Sequence, residues 1–262
     1  TQKEFQENKF IRWHEKNIEE NKGRVEQRMF FPWMTTKTLY KKIGGNDELF
    51  LKYMVDDDDF YLRIKMAGGK YTQLFETAVY HMPSKSVRMR EDDLKVEVDE
   101  QYNKSIRNFI RKWGCSPGDV WNENRDMVIP PKYDIGFVVK NCTEQLLELL
   151  EPWCSNIYIG HSFDAKHYIE KEQSNTLFDL DKRIQSIHGS KVNDIEVKFD
   201  GSKLTNQNFK YIQQLSAILM NDEGIEKDTV GEFDLDIFTI TINSVRTYED
   251  KNIRTFNKLL KF

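Results

Sequence analysis

Apolar residues in the first half of the chain recur at spacings that favour α-helices. The opening segment, up to about Gln27, is polar with scattered apolar positions, which indicates an amphipathic helix packed on another element. Those positions are Phe5, Phe10, Ile11, Trp13, Ile18 and Val25. A second helix is predicted from Thr36 or Thr38 to Ile43, because Gly44 and Gly45 follow and glycine best tolerates a left-handed helix end.

A run of four aspartates, residues 56–59, precedes the apolar-rich stretch FYLRIKMA. Acidic residues favour the positive end of a helix dipole and can cap exposed N–H groups, so this run predicts the start of a third helix. Gly68 and Gly69 would end it. A short strand is expected over residues 77–81 and a further helix over residues 95–113.

Residues 114–132 are rich in turn-forming residues and end on Pro130-Pro131, which predicts a linker between two domains. After Tyr133 the pattern changes to alternating strand and helix segments. They read DIGFVVK, TEQLLELLEPW, NIYIG, a helical stretch to about His188, DIEVKF, NQNFKYIQQLSAILMN and FDLDIFTITI. This alternation predicts a small α/β domain with a mostly parallel sheet.

Composition narrows the class of protein. The chain is 39% hydrophobic, which is enough to bury a core, and no stretch approaches the roughly 18 apolar residues of a membrane span. The opening residues lack the apolar segment of a signal peptide, so a cytoplasmic protein is expected. Cys115, Cys142 and Cys154 form no C-x-x-C pair and predict reduced, buried thiols.

The net charge of −4 is unevenly distributed along the chain. Residues 1–132 hold 24 Lys and Arg against 22 Asp and Glu, which leaves 15 against 21 for the remainder, or about +2 and −6. Neither half is basic enough to favour nucleic acid as a partner.

Three short motifs lie in a fixed order between Gly44 and Ser86. The first is Gly44-Gly45-x-Asp47-Glu48, the second combines Asp56, Asp57, Asp59, Phe60 and Arg63, and the third is His81-x-x-Ser84-x-Ser86. In this order and spacing, residues 29–114 resemble the acceptor-side half of the family-two inverting glycosyltransferases. Displacement at a sugar carbon needs a base for the incoming hydroxyl and a cation near the departing diphosphate, and clustered carboxylates suit both tasks.

The resemblance implies a role for each motif residue. Asp57 would be the catalytic base and Asp56 would shape its surroundings. Gly44, Gly45, Asp47 and Glu48 would line the acceptor side, and Arg63 would brace the acidic loop. His81 would lie near a divalent metal, Mn²⁺ or Mg²⁺, or near the diphosphate. The register within the four aspartates is open by one residue.

Each of these features also has a structural interpretation. Four aspartates before an apolar run are often only a solvated helix start, and a histidine after an apolar strand is often packed. Both glycine pairs could be helix stops. Trp33 and Trp113 could stack on a sugar ring, but aromatic residues at such positions are more often core. Arg88 and Arg90 could reach a diphosphate or form an exposed basic loop.

The resemblance also implies a missing part. A β/α half that binds the nucleotide and carries an Asp-x-Asp motif would precede Thr1. The strings at Asp179-Leu-Asp181 and Asp234-Leu-Asp236 stand in the wrong order for that motif and are interpreted as chance. Residues 1–114 are therefore expected to be a partial glycosyltransferase-like domain, residues 115–132 a linker, and residues 133–262 an accessory domain without recognisable chemistry.

Three functions follow from these expectations. The first is a fragment of an enzyme that moves a sugar from a nucleotide donor to a glycan acceptor in polysaccharide assembly, inactive without its donor half. The second is a non-catalytic binding or assembly module. The third, a metal-dependent hydrolase, lacks a second ligand cluster. Because the acceptor-side helices would lose part of their burial surface, self-association or the second domain is expected to cover it.

Overall fold

The computed structural model describes residues 5–27, 32–50, 54–80, 92–124, 126–160, 165–221 and 229–246. The first part is mainly helical. Its elements are α1 (Glu7–Glu20), β1 (Val25–Glu26), α2 (Lys37–Lys42), a 3-10 turn (Glu48–Phe50), α3 (Asp56–Met66), β2 (Gln73–Leu74) and α4 (Asp92–Trp113). β1 and β2 pair antiparallel. The predicted amphipathic first helix and the predicted helices at α2, α3 and α4 are all present.

Local sequence explains the ends of α2. The Thr36 hydroxyl accepts a hydrogen bond from the Leu39 N–H at 3.2 Å and so caps the start of the helix. At the other end, the Gly45 N–H donates to the Tyr40 carbonyl at 2.8 Å. Gly44 and Gly45 have φ values of 80° and 67°, so the left-handed helix end predicted from the glycine pair is confirmed.

A hydrophobic core joins α3 to the C-terminal half of α4. Its fully buried members include Ile43, Leu62, Phe109 and Trp113. Residues 115–132, expected to be a linker, contribute to this core through Val120 and Met127, both 0% exposed. A 3-10 turn (Pro117–Val120) and a bridge between Trp121 and Met127 fold this stretch back on itself. The stretch is therefore packed structure.

The second part is a six-stranded mixed sheet. Its strands are β3 (Ile135–Lys140), β4 (Asn156–Ile159), β5 (Ile184–Ser186), β6 (Ile195–Asp200), β7 (Gly231–Leu235) and β8 (Phe238–Ile242). Their spatial order is β5-β4-β3-β6-β8-β7. The four strands from β5 to β6 are parallel, and β8 and β7 continue antiparallel. The prediction of an α/β class with a mostly parallel sheet is confirmed.

Helices cover one face of this sheet. They are α5 (Glu144–Leu150), α6 (Lys166–Glu172), the short α7 (Leu180–Arg183) and α8 (Phe209–Asn221). Alternate strand residues such as Phe137, Ile157 and Val197 point into one core together with Leu147 of α5 and Leu215 of α8. On β6, β7 and β8 the opposite face is polar, which antiparallel strands tolerate because that face can meet water.

Two local predictions differ from the structure. Residues 77–80 form no strand, and His81 lies outside the described residues. The segment FDLDIFTITI, predicted as one strand, is part of a β7-β8 hairpin that turns at Asp236, whose φ is 53°. Aspartate tolerates this left-handed conformation better than most residues, which explains the turn.

Two predictions from composition can also be compared with the structure. All three cysteines are buried and free. In the described part of the chain, no helix has the length and apolar character to cross a membrane.

Candidate functional site

The four aspartates occupy the first turn of α3, and their solvent exposure decreases from Asp56 to Asp59. Asp56 is exposed, Asp57 and Asp58 are half-buried, and Asp59 is fully buried. The preceding residue, Val55, has a φ of 57°, a left-handed conformation that is strained for a β-branched residue. No side chain caps the helix there. The backbone therefore enters α3 through a tight, strained turn that presents Asp57 and Asp58 together.

Asp59 is the buried anchor of this turn. One carboxylate oxygen accepts from Arg63 Nε at 2.8 Å. The other accepts from Trp113 Nε1 at 2.9 Å and lies 2.5 Å from Lys112 Nζ. Although burial opposes ionisation, the two cations and these hydrogen bonds lower the pKa of Asp59, so the carboxylate is charged at neutral pH.

Arg63 and Lys112 connect this anchor to the glycine turn after α2. Arg63 is buried, and its Nη1 donates to the carbonyls of Ile43 and Gly45, both at 2.6 Å. Lys112 Nζ donates to Asp47 Oδ2 at 2.6 Å. Asp47 and Arg63 thus belong to a buried framework below the acidic turn, whereas Glu48, the next residue after Asp47, is exposed.

Asp58 forms the side of the turn that faces residues 120–128. Its Oδ1 accepts from Trp121 Nε1 at 3.2 Å. Burial, together with the neighbouring Asp57, raises the pKa of Asp58 to about 7. Although Asp56 as a whole residue is exposed, partial desolvation of its carboxyl group and the neighbouring Asp57 also raise its pKa. The turn can therefore hold a neutral carboxylic acid at a pH where most aspartates are ionised.

Tyr61 lies on the second turn of α3, directly after the aspartates and Phe60, and is 3% exposed. Its burial and the three neighbouring carboxylates raise the pKa of its hydroxyl above the usual range, so Tyr61 stays neutral. Asp57 Oδ1 accepts the Asp58 backbone N–H at 3.0 Å. This bond orients the carboxylate of Asp57, which is half-buried.

The remaining predicted residues are placed as follows. Gly44 and Gly45 form the α2 end beside the framework. His81, the predicted metal ligand, lies outside the described residues, as do Ser84, Ser86, Arg88 and Arg90. Among the residues that the structure describes, no three His, Cys, Asp or Glu side chains form a group that could hold a metal.

Trp33 and Trp113 both have core positions. Trp33 stacks on Phe60, with ring centroids 4.3 Å apart. Trp113 is fully buried and donates to Asp59. Trp33 remains half-buried at the edge of the first core, whereas Trp113 has no exposed surface for a sugar. In the part that forms the six-stranded sheet and its helices, residues 135–242, which we call the sheet domain, Asp179 caps α7 and Asp234 accepts from Thr239. Both Asp-x-Asp strings therefore have a structural role.

Sequence reasoning did not single out Asp58, Lys112 or Trp121. Lys112 stands in a helix among other basic residues, and only its packing separates it from solvated lysines. Trp121 lies in a stretch interpreted as a linker. Residues 114–132 hold one Trp and one Met, and nothing else in their sequence distinguishes Trp121.

Comparison with known proteins leaves the chain without a match: no protein-family model, no curated protein and no solved structure is similar to it.

Proposed function

We propose that the acidic turn of α3 is the acceptor-side centre of a sugar-transferring site, and that the chain is part of a nucleotide-sugar glycosyltransferase. The observation that carries the proposal is the difference in environment between two aspartates of the turn, Asp59 and Asp57. Asp59 is buried and fully engaged by cations, whereas Asp57 is held half-exposed only two residues away. A helix start that served only solubility would not need such a framework.

In this proposal Asp57 accepts the proton of the acceptor hydroxyl as that oxygen attacks the sugar. Asp58 lies beside it, and its raised pKa reduces repulsion between the two carboxylates at neutral pH. Exposed Glu48 and Asp56 would contact acceptor hydroxyls. Asp47 and Arg63 act from below, since both are buried and hold the turn in place.

Acceptor binding tests this proposal directly. The chain and its Asp57→Asn variant would be applied to an array of oligosaccharides, with Asp99→Asn as a matched control, because Asp99 is exposed on α4. Binding that Asp57→Asn weakens and Asp99→Asn preserves is the expected result. If no oligosaccharide binds, or if both variants bind alike, the acceptor-side proposal is wrong.

A calorimetric titration with nucleoside diphosphates and Mn²⁺ separates the donor from the acceptor. No binding is expected if these residues form only the acceptor side. Binding that the Asp57→Asn variant weakens would mean that a donor site is also present in this chain.

A non-catalytic assembly role is favoured by a different feature, the outer face of α1. This helix has no buried residue, and Ile11 and Ile18, seven residues apart and therefore on one side of it, are 43% and 39% exposed. Exposed apolar patches of this kind mark interaction surfaces. Light scattering of the chain and an Ile11→Ser variant tests this role, which predicts association that the substitution weakens.

A further inference from the structure

Helix α4 belongs to both parts of the molecule. Phe109 and Trp113 pack into the first core, whereas Ile110 packs into the core of the sheet domain. Adjacent residues face opposite ways at the end of the helix. Lys112 binds Asp47 and Asp59 below the acidic turn, and Arg111 turns towards the sheet domain.

Glu151 and Arg111 form a fully buried ion pair. Both side chains are 0% exposed, and Arg111 Nη2 lies 2.6 Å from Glu151 Oε2 while Nε donates to the same carboxylate at 3.0 Å. Arg183 Nε donates to Glu151 Oε1 at 2.6 Å, and the Tyr168 hydroxyl donates to Oε2 at 2.9 Å. The cations lower the pKa of Glu151 despite its burial, so the carboxylate is ionised.

Glu172 of α6 extends the same network. Its Oε1 lies 2.5 Å from Arg111 Nη2 and accepts from Arg107 Nε at 2.8 Å. Arg107 Nη2 in turn donates to the Tyr168 hydroxyl at 2.7 Å. The sheet domain thus fixes the last two turns of α4 by two carboxylates and one hydroxyl.

We propose that Glu151 and Glu172 are positioning residues for the acidic turn and act through Arg111, so that the sheet domain is an integral part of the site. The inference rests on the proposed function only in treating the turn as a reaction centre. Its physical content is a mechanical connection from Glu172 and Glu151 through Arg111 to Lys112 and Asp59.

The connection is stiff for two reasons. Arg111 and Lys112 are consecutive in a continuous helix, so a shift or rotation of one moves the other. Both side chains are also buried with their counter-charges, and an uncompensated buried charge is costly, which opposes any displacement that opens an ion pair. A helix held only by apolar packing could slide or rotate more easily, since apolar contacts are non-directional.

Tryptophan side chains provide a readout that does not depend on activity. The indole N–H of Trp113 donates to Asp59 and that of Trp121 donates to Asp58, so their ¹⁵N–¹H resonances report on the acidic turn. The full chain would be measured as wild type and as two mild variants, Glu172→Gln and Tyr168→Phe. Glu170→Gln is the matched control, since Glu170 is exposed on the same helix.

The expected result is a shift of the Trp113 and Trp121 resonances in both variants and none in the control. Trp13, in α1, should stay unchanged in every variant. A folded Glu172→Gln or Tyr168→Phe protein whose Trp113 and Trp121 resonances coincide with those of the wild type would overturn the proposal. Oligosaccharide binding by Asp57→Asn is a separate measurement, so failure of the proposed function would be recognised independently.

Discussion

Replacing Asp58 by asparagine should stabilise the protein at alkaline pH and have little effect in acid. Asparagine resembles the neutral carboxylic acid in shape and keeps an oxygen that can accept from Trp121 Nε1. It also removes the charge that burial and Asp57 make unfavourable. The folded protein therefore loses a repulsive, partly desolvated carboxylate and retains its contact.

The size of the effect follows from the pKa of Asp58. Its pKa rises from 3.8 to about 7 on folding, a difference of about 3 units. At about 1.4 kcal/mol per unit this corresponds to about 4 kcal/mol. Because Asp58 is only half-buried and solvent screens its charge, about 2 kcal/mol is the expected gain.

The sign of the pH dependence is fixed by linkage. Between the unfolded pKa of 3.8 and the folded pKa of about 7, the folded protein holds a proton that the unfolded chain releases, so this group's contribution to wild-type stability falls as pH rises. The gain from Asp58→Asn should therefore be absent below pH 3.8, grow up to about pH 7 and stay constant above it.

Urea denaturation across this pH range gives the free energy of unfolding of both proteins. Asp99→Asn controls for the loss of one surface charge. A pH-independent difference between wild type and Asp58→Asn would refute the assignment of the raised pKa to Asp58. Destabilisation at alkaline pH would show that the ionised carboxylate is favourably solvated or paired.

Three further substitutions test the buried framework. Lys112→Met leaves Asp47 without its cation and should lower the free energy of unfolding by about 3 kcal/mol, measured with urea. Glu151→Gln leaves three arginines facing a neutral side chain and should cost about 3–5 kcal/mol in the same assay; a loss below about 1 kcal/mol would contradict the burial described. Gly45→Ala should cost more than Gly68→Ala in thermal denaturation, because both have positive φ but only the Gly45 methyl would meet the Tyr40 ring, at 3.0 Å; equal costs would contradict that contact.

Local patterns predicted most of the secondary structure because its causes are local. Glycines with positive φ end α2 and α3, and the strand-helix alternation after Tyr133 gives the parallel sheet. The β7-β8 hairpin was missed because Asp236, and not the usual Asn-Gly pair, makes the turn. The packing of residues 115–132 was not predicted, because their many turn-forming residues indicated a linker. Two isolated apolar residues among them, Val120 and Met127, are in fact core side chains.

Only part of the candidate site could be predicted from the sequence. The resemblance brought together the glycine turn, the aspartates and Arg63, which the structure places in one framework. Lys112 and Trp121 lie 53 and 63 residues from their aspartate partners. Contacts at such separations depend on the tertiary fold, and nothing in the sequence around either residue distinguishes it.

The shared helix has a consequence for how the chain folds. The partners of Arg111, Glu151 and Glu172, are synthesised 40 and 61 residues after it. During synthesis the first hydrophobic core can collect its residues while the arginines of α4 still lack their carboxylates. A nascent chain that ends before Glu151 would therefore leave the end of α4 with unmatched charge and exposed Ile110, a surface that chaperones recognise. The last step of folding should be the packing of the sheet domain against α4, whose other side is already packed in the first core.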